Sequence, residues 1–158
     1  METDRWGVPH NMFGAIGEDF YGLVGRISAL LENRLHVLYC ALALAPEEER
    51  AGESGTELAR ACRHHLDRMA VERRPEALDV LTDAESALRR RHEVVHSLWP
   101  FSGSSEIRGW RPVPAKRRRD RARAVEWTSM HSEELPEPLG DLLDAVRRCR
   151  ALEMWVQH

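Results

Sequence analysis

With 158 residues, of which 42% are hydrophobic, 31% charged and 6% aromatic, the chain has the size and balance of one globular domain able to bury a proper core. A formal net charge of −3 argues against a protein that coats nucleic acid through bulk charge, and it leaves room for a local basic groove. No uncharged stretch is long enough to span a bilayer, and the start METDRWGVPH lacks the basic residues and apolar run of a signal peptide, so the expectation is a cytoplasmic protein with no membrane partner.

Residues 1–17 mix Gly7, Pro9, Gly14 and Gly17 with Trp6 and Phe13, which reads as an irregular arm. From about Glu18 to Leu44, Phe20, Leu23, Val24, Ile27, Leu31, Leu35, Leu38 and Leu42 recur at spacings of three and four, the pattern of a long first helix. Gly22 and Gly25 weaken its first turns. Arg34 falls inside the apolar arc of that helix and is expected to pair with a buried carboxylate. Pro46 and the run EEERAGE end the helix in a solvated loop, after which Ser54 and Glu57 stand at capping-box spacing.

The second helix is expected to run to about Val71, with Leu58, Ala61, Cys62, His65 and Met69 turned inward. His64 and His65 are adjacent, point in different directions and make a poor metal pair, so His65 reads as a core residue with its polar atoms satisfied. Pro75 suits the first turn of a third helix, which reaches about Leu98 before Pro100 stops it. Between Phe101 and Trp127, Gly103, Gly109, Pro112 and Pro114 precede the basic run Lys116, Arg117, Arg118, Arg119, Asp120, Arg121, Ala122, Arg123. Its first half reads as loop or a short hairpin through Ile107 and Trp110, its second half as a charged helix or a mobile basic loop.

Ser132, Glu133 and Glu134 then lead into the last helix, with Pro136 and Pro138 expected to confine regular structure to beyond them. Leu139, Leu142, Leu143, Val146, Cys149 and Leu152 form its stripe. Cys40, Cys62 and Cys149 are odd in number and far apart, which suits buried free thiols. The sum is an all-α chain: a four-to-five-helix up-down bundle over residues 18–158, with an irregular basic loop before the last helix.

The chemistry concentrates in RRRHEVVHSLW, Arg89 to Trp99. At about 100° per residue, Ala84, Ala87, Leu88, Val95 and Leu98 share one side of the third helix. Arg91 projects from the middle of that stripe, and His92 and His96, one turn apart, flank it. A guanidinium in an apolar setting is costly unless it is paired or lines a cleft. The bland alternative is a snorkelling arginine beside two boundary histidines.

Two motifs occupy the same letters. HEVVH, His92 to His96, matches the zincin pattern, in which both imidazoles hold zinc and Glu93 polarises a metal-bound water. That site needs a third ligand; Trp99 and Ser102 stand where a longer zinc signature has Gly and His, leaving Glu106 and His131 as candidates. One residue earlier, RHEVVH resembles the signature of the HEPN superfamily of ribonuclease and RNA-associated helical domains: an arginine, then Asn, Asp or His, then three residues of any kind, then histidine. Arg91, His92 and His96 match its fixed positions. Ser97 and Trp99 are similar to the residues that follow the motif in many bacterial members, where it ends the third helix of a small bundle.

The resemblance implies a HEPN-like fold and metal-independent cleavage of single-stranded RNA, with no cofactor. Two copies of the motif would meet across a symmetric homodimer, and a toxin or antiviral role with a cognate antitoxin partner comes by analogy alone. On that reading His96 shuttles protons, Arg91 steadies the phosphorane, His92 orients them or touches phosphate, and Lys116 to Arg123 guide the RNA backbone, with Trp99 or Trp110 available for stacking. His at the second position and the nearby Glu93 depart from the commoner pattern, so a non-catalytic RNA- or protein-binding dimer module stands as the alternative and an HExxH zinc hydrolase as the third reading.

Overall fold

A computed structural model describes residues 17–97, 99, 106–112, 125–134 and 136–156; most of the N-terminal arm and all of the basic run Lys116 to Arg123 lie outside them. Among the described residues the fold is predominantly helical: α1 spans Glu18–Ala43, α2 Gly55–Arg63, α3 Arg74–His96 and α4 Pro136–Val156. β1, Glu106–Pro112, and β2, Val125–His131, form a two-stranded antiparallel sheet, and three short 3₁₀ turns, Leu66–Arg68, Val71–Arg73 and Ser132–Glu134, are also described. No helix among these residues is long and apolar enough to cross a membrane. The chain groups into two compact units, one taking in Val24–Arg91 and Glu137–His158, the other Met1–Leu23 and His92–Pro136.

The larger unit is the helical bundle. Val24, Leu31, Leu35, Leu38 and Leu42 of α1 are fully or almost fully buried, as the three-and-four spacing requires, and each such side chain contributes about 1.5–3 kcal/mol of apolar burial. Arg34 finds its carboxylate in Glu153 of α4, at 3.2 Å, with Glu153 only 6% exposed. α3 and α4 run antiparallel, held at their rim by Arg90 with Glu137 and Asp141 near one end and by Arg148 with Asp83 near the middle of both helices. These pairs are half-exposed and worth about 0–1 kcal/mol each, so the apolar seam between the helices dominates.

α2 starts where the capping box places it: the Ser54 hydroxyl accepts from the Glu57 amide, and the Glu57 carboxylate accepts from Ser54. Gly55 sits so close to the Leu88 and Glu32 side chains that a Cβ there would meet carbons at 2.7 and 2.9 Å. The helix ends at Arg63, well short of Val71, and two 3₁₀ turns, Leu66–Arg68 and Val71–Arg73, follow. Leu66 and Met69, three apart, stay buried through the change because a 3₁₀ turn also returns every third residue to the same side.

α4 begins at Pro136 instead of beyond the prolines. Both prolines fall in its first turn, where a missing N–H removes no intrahelical bond. Cys62 and Cys149 are buried, as expected, whereas Cys40 is half-exposed. His65 is half-buried with its ring edge-on to Tyr39, and His64 is exposed.

Candidate site at the end of helix α3

The smaller unit is built on the last turns of α3. Among its described residues Val94 and Trp99 are the buried hydrophobic pair, with Phe20, Tyr21 and Met130 packed against them. Four carbonyls at a helix C-terminus have no intrahelical partner, and one of them, that of Val94, accepts a hydrogen bond from the Trp99 indole Nε1 at 2.8 Å. Trp99 thus closes α3 from beyond its end. Its ring packs close to Gly109 of β1, where a Cβ would stand 2.8–3.0 Å from three ring carbons.

The strands pair antiparallel in the register Glu106↔His131 through Pro112↔Val125, with Trp110 opposite Trp127. The short hairpin expected through Ile107 and Trp110 is not local: both residues lie on the one strand β1, and its partner β2 falls beyond the basic run. Two corrections follow for the helix end. Val94, 1% exposed, is the buried valine, and Val95 is only half-buried. Trp99, at 3% exposure and with its indole engaged, is a packing residue and is not available to stack on a base.

Arg91, His92 and His96 lie on this one helix. The His92 and His96 side chains are exposed, with ring centroids 4.2 Å apart and planes at 47°. Arg91 is half-buried; its Nε is shielded from solvent without a hydrogen-bond partner, and it makes no ion pair among the described residues. Its neighbour Arg90 is taken up by Glu137 and Asp141, which hold its guanidinium in the charged form more firmly than usual. Ser97, directly after the second histidine, is buried at 5% exposure with its hydroxyl unpaired. Nothing but its small size marked it in the sequence.

The zinc reading needs a third donor near the two imidazoles. No group of three His, Cys, Asp or Glu among the described residues is placed to hold a metal ion. His131 is exposed at the far end of β2, and Glu106 is its register partner on β1. The described donor set does not complete a zinc site.

The RNA-binding residues expected at Lys116, Arg117, Arg118, Arg119, Arg121 and Arg123 lie outside the described residues, within the connection between β1 and β2. Trp127, 68% exposed, is an aromatic that the sequence reading passed over. No family model, no curated protein and no solved structure matches the chain.

Proposed function

We propose that the protein is a metal-independent endoribonuclease that cleaves single-stranded RNA by attack of a 2′-hydroxyl on the adjacent phosphate. The observation that carries this reading is the pair of exposed, contacting imidazoles at the end of α3, immediately after an arginine whose buried Nε has no partner. Histidine exchanges protons near neutrality. Arginine keeps its charge and presents a planar fork to phosphate oxygens. A polar atom sheltered without a partner is tolerated where a ligand completes it.

In the reaction, His96 removes the 2′-hydroxyl proton as the O2′–P bond forms. Arg91 stabilises the charge on the pentacovalent phosphorane. The P–O5′ bond then breaks, and the departing 5′-oxygen takes a proton from a second imidazole, leaving a 2′,3′-cyclic phosphate and a 5′-hydroxyl. His92, or the motif of a second copy across a two-fold axis, supplies that acid; an isologous dimer brings two arginines and two sets of imidazoles to one groove. The resemblance of RHEVVH to the HEPN signature supports the same assignment, and with it a toxin or antiviral role in the cytoplasm.

The test is cleavage of a mixed single-stranded RNA in excess chelator, comparing wild type with His96→Ala. The expected result is cleavage by the wild type that survives chelation, ends in 2′,3′-cyclic phosphate and disappears in the variant. Absence of cleavage by a folded wild-type protein reduces the chain to a binding module. Cleavage that chelation abolishes and zinc restores overturns the metal-free mechanism.

A further inference from the structure

Helices α3 and α4 carry the same short pattern. Residues 83–90 read DAESALRR and residues 141–148 read DLLDAVRR, identical at the acid that opens each octet, at the alanine in its middle and at the two arginines that close it. The acid and the final arginine are two helical turns apart, so they share one face at a separation of about 10 Å. Because the helices run antiparallel, the acid of each octet meets the last arginine of the other: Asp83 pairs with Arg148, and Asp141 with Arg90. These side chains mark the corners of a square in which the sign of the charge alternates.

Between the corners lies a groove of about 590 Å³. Its floor is Ala87 and Ala145, each 2% exposed, and Ser86 and Asp144 stand exposed beside them. Small residues at the centre leave room for another surface to approach. The corner pairs do not exhaust their members either. Each of these side chains keeps 42–55% of its surface in solvent, and a guanidinium offers more donors, and a carboxylate more acceptor sites, than a single partner uses.

The alternation selects the occupant. An anion in the groove meets Asp144 and the two corner acids, and a cation meets Arg147 and the two corner arginines. A surface of uniform charge, nucleic acid included, is repelled by half of the square. What fits is a second such square turned over: a half-turn about an axis lying in the face, along the helices or across them, sets every acid against a base. An isologous contact requires a patch complementary to itself, and this patch is. The geometry points to the α3–α4 face as the surface through which two copies of the chain pair in solution. Half-exposed charges fix partner and orientation more than they add affinity, so the dimer is modest in strength and sensitive to salt. Pairing through this face is independent of cleavage, because none of these residues belongs to the histidine motif.

Sedimentation equilibrium of the full-length protein, without RNA, tests the pairing. At about 100 μM protein the wild type is expected to be dimeric in about 0.1 M salt; about 1 M salt, which shortens the reach of charge from about 10 to about 3 Å, is expected to weaken the dimer by about tenfold or more. Asp83→Arg with Asp141→Arg makes every corner basic, and Arg90→Glu with Arg148→Glu makes every corner acidic. Each double variant is expected to be monomeric where the wild type is dimeric, and an equimolar mixture of the two is expected to recover the dimer as a heterodimer. A wild type that stays monomeric overturns the pairing. So does a dimer that persists in both double variants with the far-ultraviolet spectrum intact, which places the contact elsewhere, or a mixture of folded variants that stays monomeric. Should a double variant fail to fold, Ser86→Arg, at an exposed position between the corners, reads the same contact: a dimer indifferent to a long cation over the groove overturns the pairing. A dimer that meets these expectations in a protein that does not cleave RNA leaves the pairing standing and removes the nuclease.

Discussion

Gly109→Ala tests the packing that fixes the end of α3. The added methyl would lie 2.8, 2.9 and 3.0 Å from three carbons of the Trp99 ring. Trp99 is 3% exposed, and its Nε1 donates to the Val94 carbonyl at 2.8 Å. If the ring swings away, that bond breaks and a buried donor is left unpaired, at about 1–3 kcal/mol. If the ring stays, overpacking costs a similar amount, about 1–3 kcal/mol. Alanine also restricts the unfolded chain, which works in the opposite direction by about 0.4–1 kcal/mol. The net expectation is a loss of about 1–2 kcal/mol, or about 2–8 °C in midpoint for a chain of this length. Thermal unfolding followed by near-ultraviolet circular dichroism of the indoles reads it directly. A midpoint that is unchanged or raised would refute the argument, because it would mean that Trp99 yields freely and does not hold the helix end. In a Trp99→Leu background the same glycine substitution is expected to cost little, since the two residues act through one contact.

Three further outcomes follow from named contacts. Glu153→Ala leaves Arg34 without its carboxylate; because Arg34 keeps 31% of its side chain in solvent, the expected loss by denaturant unfolding is about 1.5–3 kcal/mol, and replacing both residues with apolar ones of similar volume recovers most of it. Burial pushes the Cys62 and Cys149 thiols up from 9.0 to about 12, so native protein near neutral pH is expected to take up alkylating reagent at Cys40 alone. Because the folded thiols hold their protons more tightly than the unfolded ones, the stability this contributes is fully present below pH 9.0 and is lost as pH rises from there toward 12, which alkaline melts should show. Arg91→Ala is expected to reduce cleavage by about 100- to 1,000-fold, the usual effect of removing one donor to a developing oxyanion, with Arg91→Lys recovering only part of it because the fork is lost. A comparable drop in melting temperature with cleavage intact would assign Arg91 to structure.

What could be read from the sequence divides along physical lines. The long helices were legible because their stripes are strict: α1 carries its leucines at three and four, and Arg34 announced a carboxylate partner simply by standing among them. That the partner is Glu153 was not legible, since the two are 119 residues apart and only the packing of α1 with α4 joins them. The end of α2 was misplaced because Leu66 and Met69 serve a helix and a 3₁₀ turn equally well. β2 was missed because VEWTSMH puts Glu126 and Thr128 at the same parity as Met130, so its alternation does not sort apolar from polar, and its partner strand lies across a basic connection with no turn signature. At the site, spacing alone located the His92 and His96 pair. The unpaired Ser97 and Arg91 atoms are consequences of tertiary burial that no local pattern encodes.

The exchange of Val95 for Val94 as the buried valine bears on the chemistry. Successive residues are about 100° apart around a helix, so His92 and His96, each two positions from Val94, both lie about 160° around the axis from it. Val94 is the residue that Trp99, Phe20, Tyr21 and Met130 cover. The packing of this unit therefore grips one side of the last turns of α3 and leaves the two imidazoles on the opposite side, where both are exposed. Had Val95 been the anchor, His92 and His96 would have stood about 60° and 100° from the covered line, at the margin of the core. The observed rotation leaves both rings exposed, with Arg91 about 60° from Val94, between the gripped side and the imidazoles. One measurement tests the exposure of the two rings. Carbethoxylation of the exposed His92 and His96 in the native protein should proceed readily and be slowed by bound single-stranded RNA. Slow modification without RNA would mean that the imidazole side of the helix is covered and that the site must be sought elsewhere.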